Sequence, residues 1–134
     1  MRIDAIHPEG WKPAKGYANA IRVEGASRLL FVAGQIAWDR EQRIVGPGDM
    51  AVQFGQCLEN VVACVRAAGG EPQHVVRMTV YVTDKRAYIA AARAIGTKWR
   101  ELFGKHYPAM ALVQVADLLE EGALVEIEAT ATIG

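Results

Sequence analysis

A change of hydrophobic period near the middle of the chain constrains the fold more than any other feature of the sequence. Between Asp49 and Gly70, apolar residues recur at helical spacing, with Asp49 as the predicted N-cap and Gly69-Gly70 as the C-terminal stop. From Val75 to Thr83 the period becomes two, which is typical of a half-buried strand. A helix followed so closely by a strand predicts a sheet packed against helices.

The remaining segments extend this pattern in both directions. Further strands are predicted at 17–24, 28–33, 43–45, 109–115 and 123–133, and a second helix between Asp84 and Gly104. The first two of these strands flank the turn Gly25-Ala26-Ser27, which predicts a hairpin. Repeats and linkers are absent. Residues 1–134 therefore predict a single α+β domain, with one mixed sheet and two helices packed on one of its faces.

Strand parity predicts that both faces of this sheet need cover. In the last strand, alternate residues form an apolar side that suits the helices: Val125, Ile127, Ala129 and Ala131. The strand before it is mostly apolar on both sides, with Met110 and Leu112 on one and Ala111 and Val113 on the other. Because two helices cover only one face, we expect a second subunit to cover the other, which predicts a homo-oligomer.

Charge and cysteine usage exclude several classes of protein. The chain has 15 basic and 15 acidic residues, and the basic ones are dispersed, whereas nucleic-acid binders usually carry a clustered basic surface. No segment approaches the ~20 apolar residues of a membrane span, and the charged, proline-containing N-terminus does not resemble a secretory signal. Cys57 and Cys64 lie on one predicted helix, too far apart for a disulfide. We therefore expect a cytoplasmic protein with reduced thiols.

Most of the common catalytic groups are also missing from the pattern. The three histidines, His7, His74 and His106, are scattered without a second ligand at metal-binding spacing. Ser27, the only serine, falls in a turn, and both cysteines lie on a predicted core stripe. The glycines match neither dinucleotide-binding nor phosphate-binding loops. We therefore expect no metal and no cofactor.

One carboxylate stands out in a stretch that lacks basic residues. Between Pro108 and Ala131 the chain carries five acidic residues and no basic one. The acids of the loop 117–121 are predicted to be solvated, whereas Glu126 falls inside a strand, on the face that the oligomer is expected to cover. A carboxylate in that position suits acid/base work on a water molecule. The alternative is an exposed or ion-paired strand glutamate, and the neighbouring Glu128 fits that description.

Six ordered blocks of sequence resemble one known family. They are Phe31–Ile36, Gln53–Asn60, Ala67–Gly69, Thr79–Asp84, Pro108-Ala109 and Val125–Ala129. Their order and spacing resemble the RidA family, also called the YjgF or L-PSP endoribonuclease family, over about Gly16 to Thr132. The resemblance implies a chorismate-mutase-like fold and a homotrimer in which three sheets form a central barrel with ligand clefts between subunits. It also implies cofactor-free hydrolysis of imines or enamines, such as 2-aminoacrylate, to 2-keto acids and ammonia.

The resemblance assigns roles to individual positions. In the family a strand glutamate positions the attacking water, and this residue corresponds to Glu126. A tyrosine that lines the cleft corresponds to Tyr17, and a Gly-Gln turn that helps to polarise the substrate corresponds to Gly34 and Gln35.

Two positions depart from the family pattern and make the expected pocket less polar, together with the neighbouring Leu112. The arginine that grips the substrate carboxylate corresponds to Met110, and a serine before the Gly-Gln pair corresponds to Ala33. A guanidinium provides charge-assisted hydrogen bonds of about 1.5 to 3 kcal/mol each, and a thioether provides none. We therefore expect weak 2-aminoacrylate deaminase activity or none.

Two functions remain open at this point. The chain is either a hydrolase that uses Glu126 on a substrate without the usual carboxylate contact, or a binding or regulatory module that holds a small apolar metabolite. The family's older endoribonuclease label fits less well, because a net charge of zero attracts RNA weakly. If another cation replaces the family arginine, the candidates within the chain are Arg22, Arg28 and Arg77. A further candidate is Lys105, contributed by a neighbouring subunit.

Overall fold

The computed structural model describes residues 1–134 and contains six strands and three α-helices. The strands are β1 (Arg2–Ile6), β2 (Ala20–Glu24), β3 (Arg28–Gln35), β4 (Val75–Val82), β5 (Ala109–Gln114) and β6 (Val125–Ile133). The helices are α1 (Met50–Ala67), α2 (Lys85–Ala90) and α3 (Ala92–Phe103), with a 3-10 turn at Pro72–His74. None of these helices is long and apolar enough to cross a membrane.

The main sheet has four strands in the order β3-β6-β4-β5. β6 is antiparallel to both of its neighbours, whereas β4 and β5 are parallel and are connected through α2 and α3. Parallel strands need such a crossover because their connection must return to the same end of the sheet. The predicted mixed sheet with helices on one face is confirmed.

The helices pack on the face that the parity of β6 predicts. Val125, Ile127 and Ala131 are fully buried there, beside α1 residues such as Leu58 and Val61. The predicted cap of α1 is also present, because the Asp49 side chain accepts a hydrogen bond from the Val52 amide.

A buried glutamine ties α1 to the segment that leads into β6. Gln53 is fully buried, and its amide nitrogen donates to the carbonyls of Gly46 (3.2 Å) and Gly122 (3.0 Å). Its amide oxygen accepts from the Leu124 amide at 2.9 Å. These three bonds fix the entry of the strand that carries Glu126.

The opposite face of the sheet has no cover within the chain. Phe31 is 75% exposed and Leu29 62% exposed, and both project from β3 on this side, as Val113 does from β5. We call this surface the open face. Large apolar side chains this exposed are typical of an interface.

The predicted hairpin of 17–24 and 28–33 is wrong. β2 pairs instead with β1, a segment for which no strand is predicted, and β3 pairs with β6. Cross-strand ion pairing explains part of this choice, because Asp4 on β1 contacts Arg22 on β2 at 3.0 Å. The Arg22 hydrogen bond lowers the pKa of Asp4. The strand expected at 43–45 is reduced to a single bridge between Trp38 and Ile44.

The second predicted helix is divided in two at Ala91. Its φ of −91° and ψ of 1° lie outside the helical range, so that α2 ends and α3 begins on either side of it. The local sequence contains no helix breaker, and we attribute the division to tertiary packing, in which the ring of Tyr88 contacts that of Phe54 at a centroid distance of 5.7 Å.

Candidate functional site

The structure separates the predicted site residues into two groups. Glu126 lies against Gly34 at one end of β3 and β6, with Ala33 and Gln35 beside it; we call this group the glutamate corner. Tyr17, Met110 and Leu112 instead line a cavity of about 440 Å³, which we call the aromatic cavity.

Gly34 makes room for the Glu126 carboxylate. A Cβ atom at position 34 would lie 2.7 Å from Oε1 of Glu126 and 2.9 Å from its Cδ, closer than real Cβ contacts allow. A side chain at this position would therefore displace the carboxylate. The Gly-Gln pair expected in a turn lies instead at the end of β3, where the pairing with β6 is irregular, and the Gln35 Nε2 donates to the Ala33 carbonyl at 3.1 Å.

Glu126 differs from Glu128, the other glutamate on the same side of β6. The Tyr81 hydroxyl donates to Oε1 of Glu128 at 2.7 Å, and this hydrogen bond raises the pKa of Tyr81. Glu126 is half-buried and makes neither a hydrogen bond nor an ion pair within the chain. Its carboxylate is thus free to hold a water molecule or a ligand, whereas that of Glu128 is already engaged.

Cys57 lies in the core beneath this corner and is chemically inert. Burial raises its pKa to about 12, and the negative charge of Glu126 adds to the effect. Both Cys57 and Cys64 are free thiols, as the sequence predicts.

The aromatic cavity lies between α3, β5 and the segment before β2. The Ala18 amide donates to the Pro108 carbonyl at 2.9 Å, and this bond brings Tyr17 beside the start of β5. Trp99 and Tyr107 form a further wall, with ring centroids 5.7 Å apart and planes within 4° of parallel. Trp99 is only 5% exposed.

Two cations border this cavity, and neither was among the sequence candidates. They are Arg100 and Lys15, and none of the 13 lining residues is acidic. Of the predicted candidates, only Lys105 comes near, in an adjoining pocket that shares Tyr17 with the cavity. No local sequence signal indicates Arg100, because the cavity is lined by residues from several segments that are distant in sequence.

The other proposed cations lie elsewhere. Arg22 pairs with Asp4, Arg28 donates to the Gly134 carbonyl at 3.2 Å, and Arg77 lies in a small pocket of the open face.

The two groups project from opposite faces of the sheet. Met110 is in register with Met78, which is fully buried against the helices, whereas Glu126 is in register with Tyr81, three residues further along β4. Because side chains alternate along a strand, an odd separation places them on opposite faces. A single chain therefore does not bring its own Glu126 to its own aromatic cavity.

No group of three or more histidine, cysteine, aspartate or glutamate side chains is arranged to hold a metal ion. The chemistry that the two groups offer is that of an unpaired carboxylate on one side, and of an apolar, positively charged cavity on the other.

Comparison with known proteins gives a consistent result. The family model described as Endoribonuclease L-PSP matches residues 8–133. A RutC family protein of Pyrococcus horikoshii, PH0854, is 36% identical over 120 residues, which cover 90% of this chain and 89% of that protein. The bovine 2-iminobutanoate/2-iminopropanoate deaminase is 31% identical over 118 residues, covering 88% of this chain and 80% of the enzyme. The crystal structure of YyfB, a Rid family protein of unknown function from Yersinia pestis, superposes with a TM-score of 0.87 at 32% identity, covering 99% of this chain and 100% of that one.

Proposed function

This chain belongs to the RidA family, also called the YjgF or L-PSP endoribonuclease family, and we propose that it is a homotrimer that binds a small metabolite between its subunits. The exposed apolar side chains of the open face, Leu29 and Phe31 above all, support burial against neighbouring subunits. With both cysteines free, the proposed location is the cytoplasm.

The separation of the two groups supports a site that is shared between subunits. In the proposed trimer, the glutamate corner of one subunit meets the aromatic cavity of its neighbour. Glu126 would then face Tyr17 and Met110 across the interface, as the family resemblance implies for these positions.

The proposed reaction is hydrolysis of an imine or enamine to a carbonyl compound and ammonia. Water adds to the imine carbon while the Glu126 carboxylate accepts one of its protons. That proton passes to nitrogen and gives a carbinolamine. The carboxylate then transfers the remaining hydroxyl proton to the amino group, and the C–N bond breaks as the C=O bond forms, so that ammonia leaves. An enamine first becomes the imine by gaining a proton on carbon and losing one from nitrogen. The observation that carries this proposal is the unpaired carboxylate of Glu126, with the space for it left open by Gly34.

A second candidate function is ligand binding without turnover. It is favoured by Met110, because a thioether offers the substrate carboxylate none of the charge-assisted hydrogen bonds that the family arginine provides. Ala33 and Leu112 make the surroundings less polar still.

Hydrolysis of 2-iminopropionate, generated in the assay by an amino acid oxidase, separates the two. We expect slow hydrolysis by the wild type, a loss of about 10²-fold or more in Glu126→Gln, and faster hydrolysis in Met110→Arg. Glu128→Gln is the matched control and should keep the wild-type rate. If the wild type and Met110→Arg are both inactive while ligand binding survives Glu126→Gln, the protein is a binding module. A monomer in sedimentation at micromolar concentration would contradict the shared site itself.

A further inference from the structure

Arg100 is a free cation held at the edge of the aromatic cavity. It makes no salt bridge, whereas the neighbouring Lys98 pairs with Glu59 at 2.6 Å and lies 3.9 Å from Glu101. The only hydrogen bond of its guanidinium to another side chain is a long one, 3.4 Å, from Nη2 to the Thr97 hydroxyl. Most of its N–H donors are therefore left for a ligand.

Gly96, one turn before Arg100 on α3, leaves space for the guanidinium to pack against the helix surface. A Cβ atom at Gly96 would come within 3.3 Å of Nη1 of Arg100, and both residues line the cavity. The guanidinium of this exposed residue thus has room beside the cavity that Met110 lines from β5.

We propose that Arg100 takes over carboxylate binding in this protein, and that the ligand is an organic acid with an aromatic or large branched apolar body. This inference rests on the proposed cleft, and it names the class of ligand. The guanidinium matches a carboxylate as a planar fork, and the absence of any acidic residue from the lining leaves its charge uncompensated.

The size and walls of the cavity specify the body of the ligand. A volume of about 440 Å³ falls in the range of pockets that bury whole drug-sized ligands, far more than a three-carbon imino acid fills. Nine of the 13 lining residues are hydrophobic. Met110 belongs to this apolar wall, because a thioether packs well against aromatic rings. In this proposal the cation that binds the carboxylate is Arg100 on α3. Met110, at the position of the family arginine on β5, contacts the apolar part of the ligand.

The test compares phenylacetate, phenylacetamide and acetate as ligands of the full-length protein by titration calorimetry. We expect phenylacetate to bind about ten-fold more tightly than either phenylacetamide or acetate. Phenylacetamide lacks the negative charge, and acetate lacks the apolar ring. Arg100→Gln should remove the preference for phenylacetate over phenylacetamide, and Arg100→Lys should restore part of it. Arg93→Gln, at an exposed position on the same helix outside the cavity, is the matched control.

Equal binding of the acid and the amide by the wild type would overturn the proposal, as would an unchanged preference in Arg100→Gln with a native circular dichroism spectrum. The outcome is independent of turnover. If Arg100→Gln loses the preference while no variant hydrolyses an imine, this inference stands and the proposed hydrolysis fails. If imines are hydrolysed but the preference does not depend on Arg100, the reverse holds.

Discussion

Replacing Gly34 by alanine places a methyl group against the carboxylate of Glu126. The added Cβ would lie 2.7 Å from Oε1, 2.9 Å from Cδ and 3.1 Å from Cγ, where ordinary contacts begin at 3.4 Å. The carboxylate therefore has to move by about 0.7 Å, the difference between these contacts. All three atoms belong to one flexible side chain, so we expect Glu126 to yield rather than the backbone.

The effect on stability is small because two contributions oppose each other. Pushing Glu126 away from its preferred rotamer costs about 0.5 to 1.5 kcal/mol. Alanine in place of glycine within a strand contributes about 0.5 to 1 kcal/mol in the other direction. Gly34→Ala alone should thus change the free energy of unfolding by less than about 1 kcal/mol, which is the difference between these two contributions.

A double-mutant cycle makes the contact visible. In Glu126→Ala there is no carboxylate to displace, so that adding Gly34→Ala should stabilise the protein by about 0.5 to 1 kcal/mol. The coupling energy between positions 34 and 126 should then be about 0.5 to 1.5 kcal/mol. Urea unfolding of the four proteins at one fixed protein concentration measures it, because the midpoint of an oligomer depends on concentration.

Function should respond much more strongly than stability. A misplacement of about 1 Å can lower a reaction rate on the order of 10²-fold. We therefore expect Gly34→Ala to lose most of any imine hydrolysis while its unfolding midpoint hardly changes. Additive stabilities in the cycle would refute the contact between Gly34 and Glu126. Full activity in Gly34→Ala would refute the role of the carboxylate position.

Two further predictions concern the core beneath the site. Gln53→Met should destabilise the protein by about 3 kcal/mol in urea unfolding, because three hydrogen bonds are lost and their partners stay partly buried. The control is Gln56→Met, which removes one hydrogen bond to Asn60 on the same helix and should cost less than about 1 kcal/mol. Equal losses would contradict the tie between α1 and β6. At pH 8, well below its pKa of about 12, Cys57 stays protonated, so iodoacetamide should label half-buried Cys64 first and Cys57 only after unfolding. Mass spectrometry of the labelled peptides checks this order, and equal labelling rates in the folded protein would contradict it.

The parts of the fold that the sequence predicted are those in which burial dictates periodicity. α1 and β4 form where the apolar spacing is three to four and then two, and the apolar side of β6 lies against the helices. The partner of a strand is a different question, because several partners satisfy the same alternation. No strand is predicted at residues 2–6, which carry two charged residues, yet they form β1, paired with β2 and with Asp4 in contact with Arg22. Pairing of this kind depends on tertiary neighbours and is not visible in local spacing.

The same distinction applies to the charges of the candidate site. A substitution such as Met110 is visible at one position of a resembling sequence, whereas its compensation can arise on any element that folds beside it. Arg100 lies on α3 and Met110 on β5, and both line the aromatic cavity although the loop after α3 separates them in sequence. Four other cations were equally plausible from sequence, and the structure places three of them in ion pairs, backbone contacts or another pocket. The fold determines where each charge lies, and the two cations that border the aromatic cavity come from α3 (Arg100) and from the segment before β2 (Lys15), which local spacing does not connect with β5.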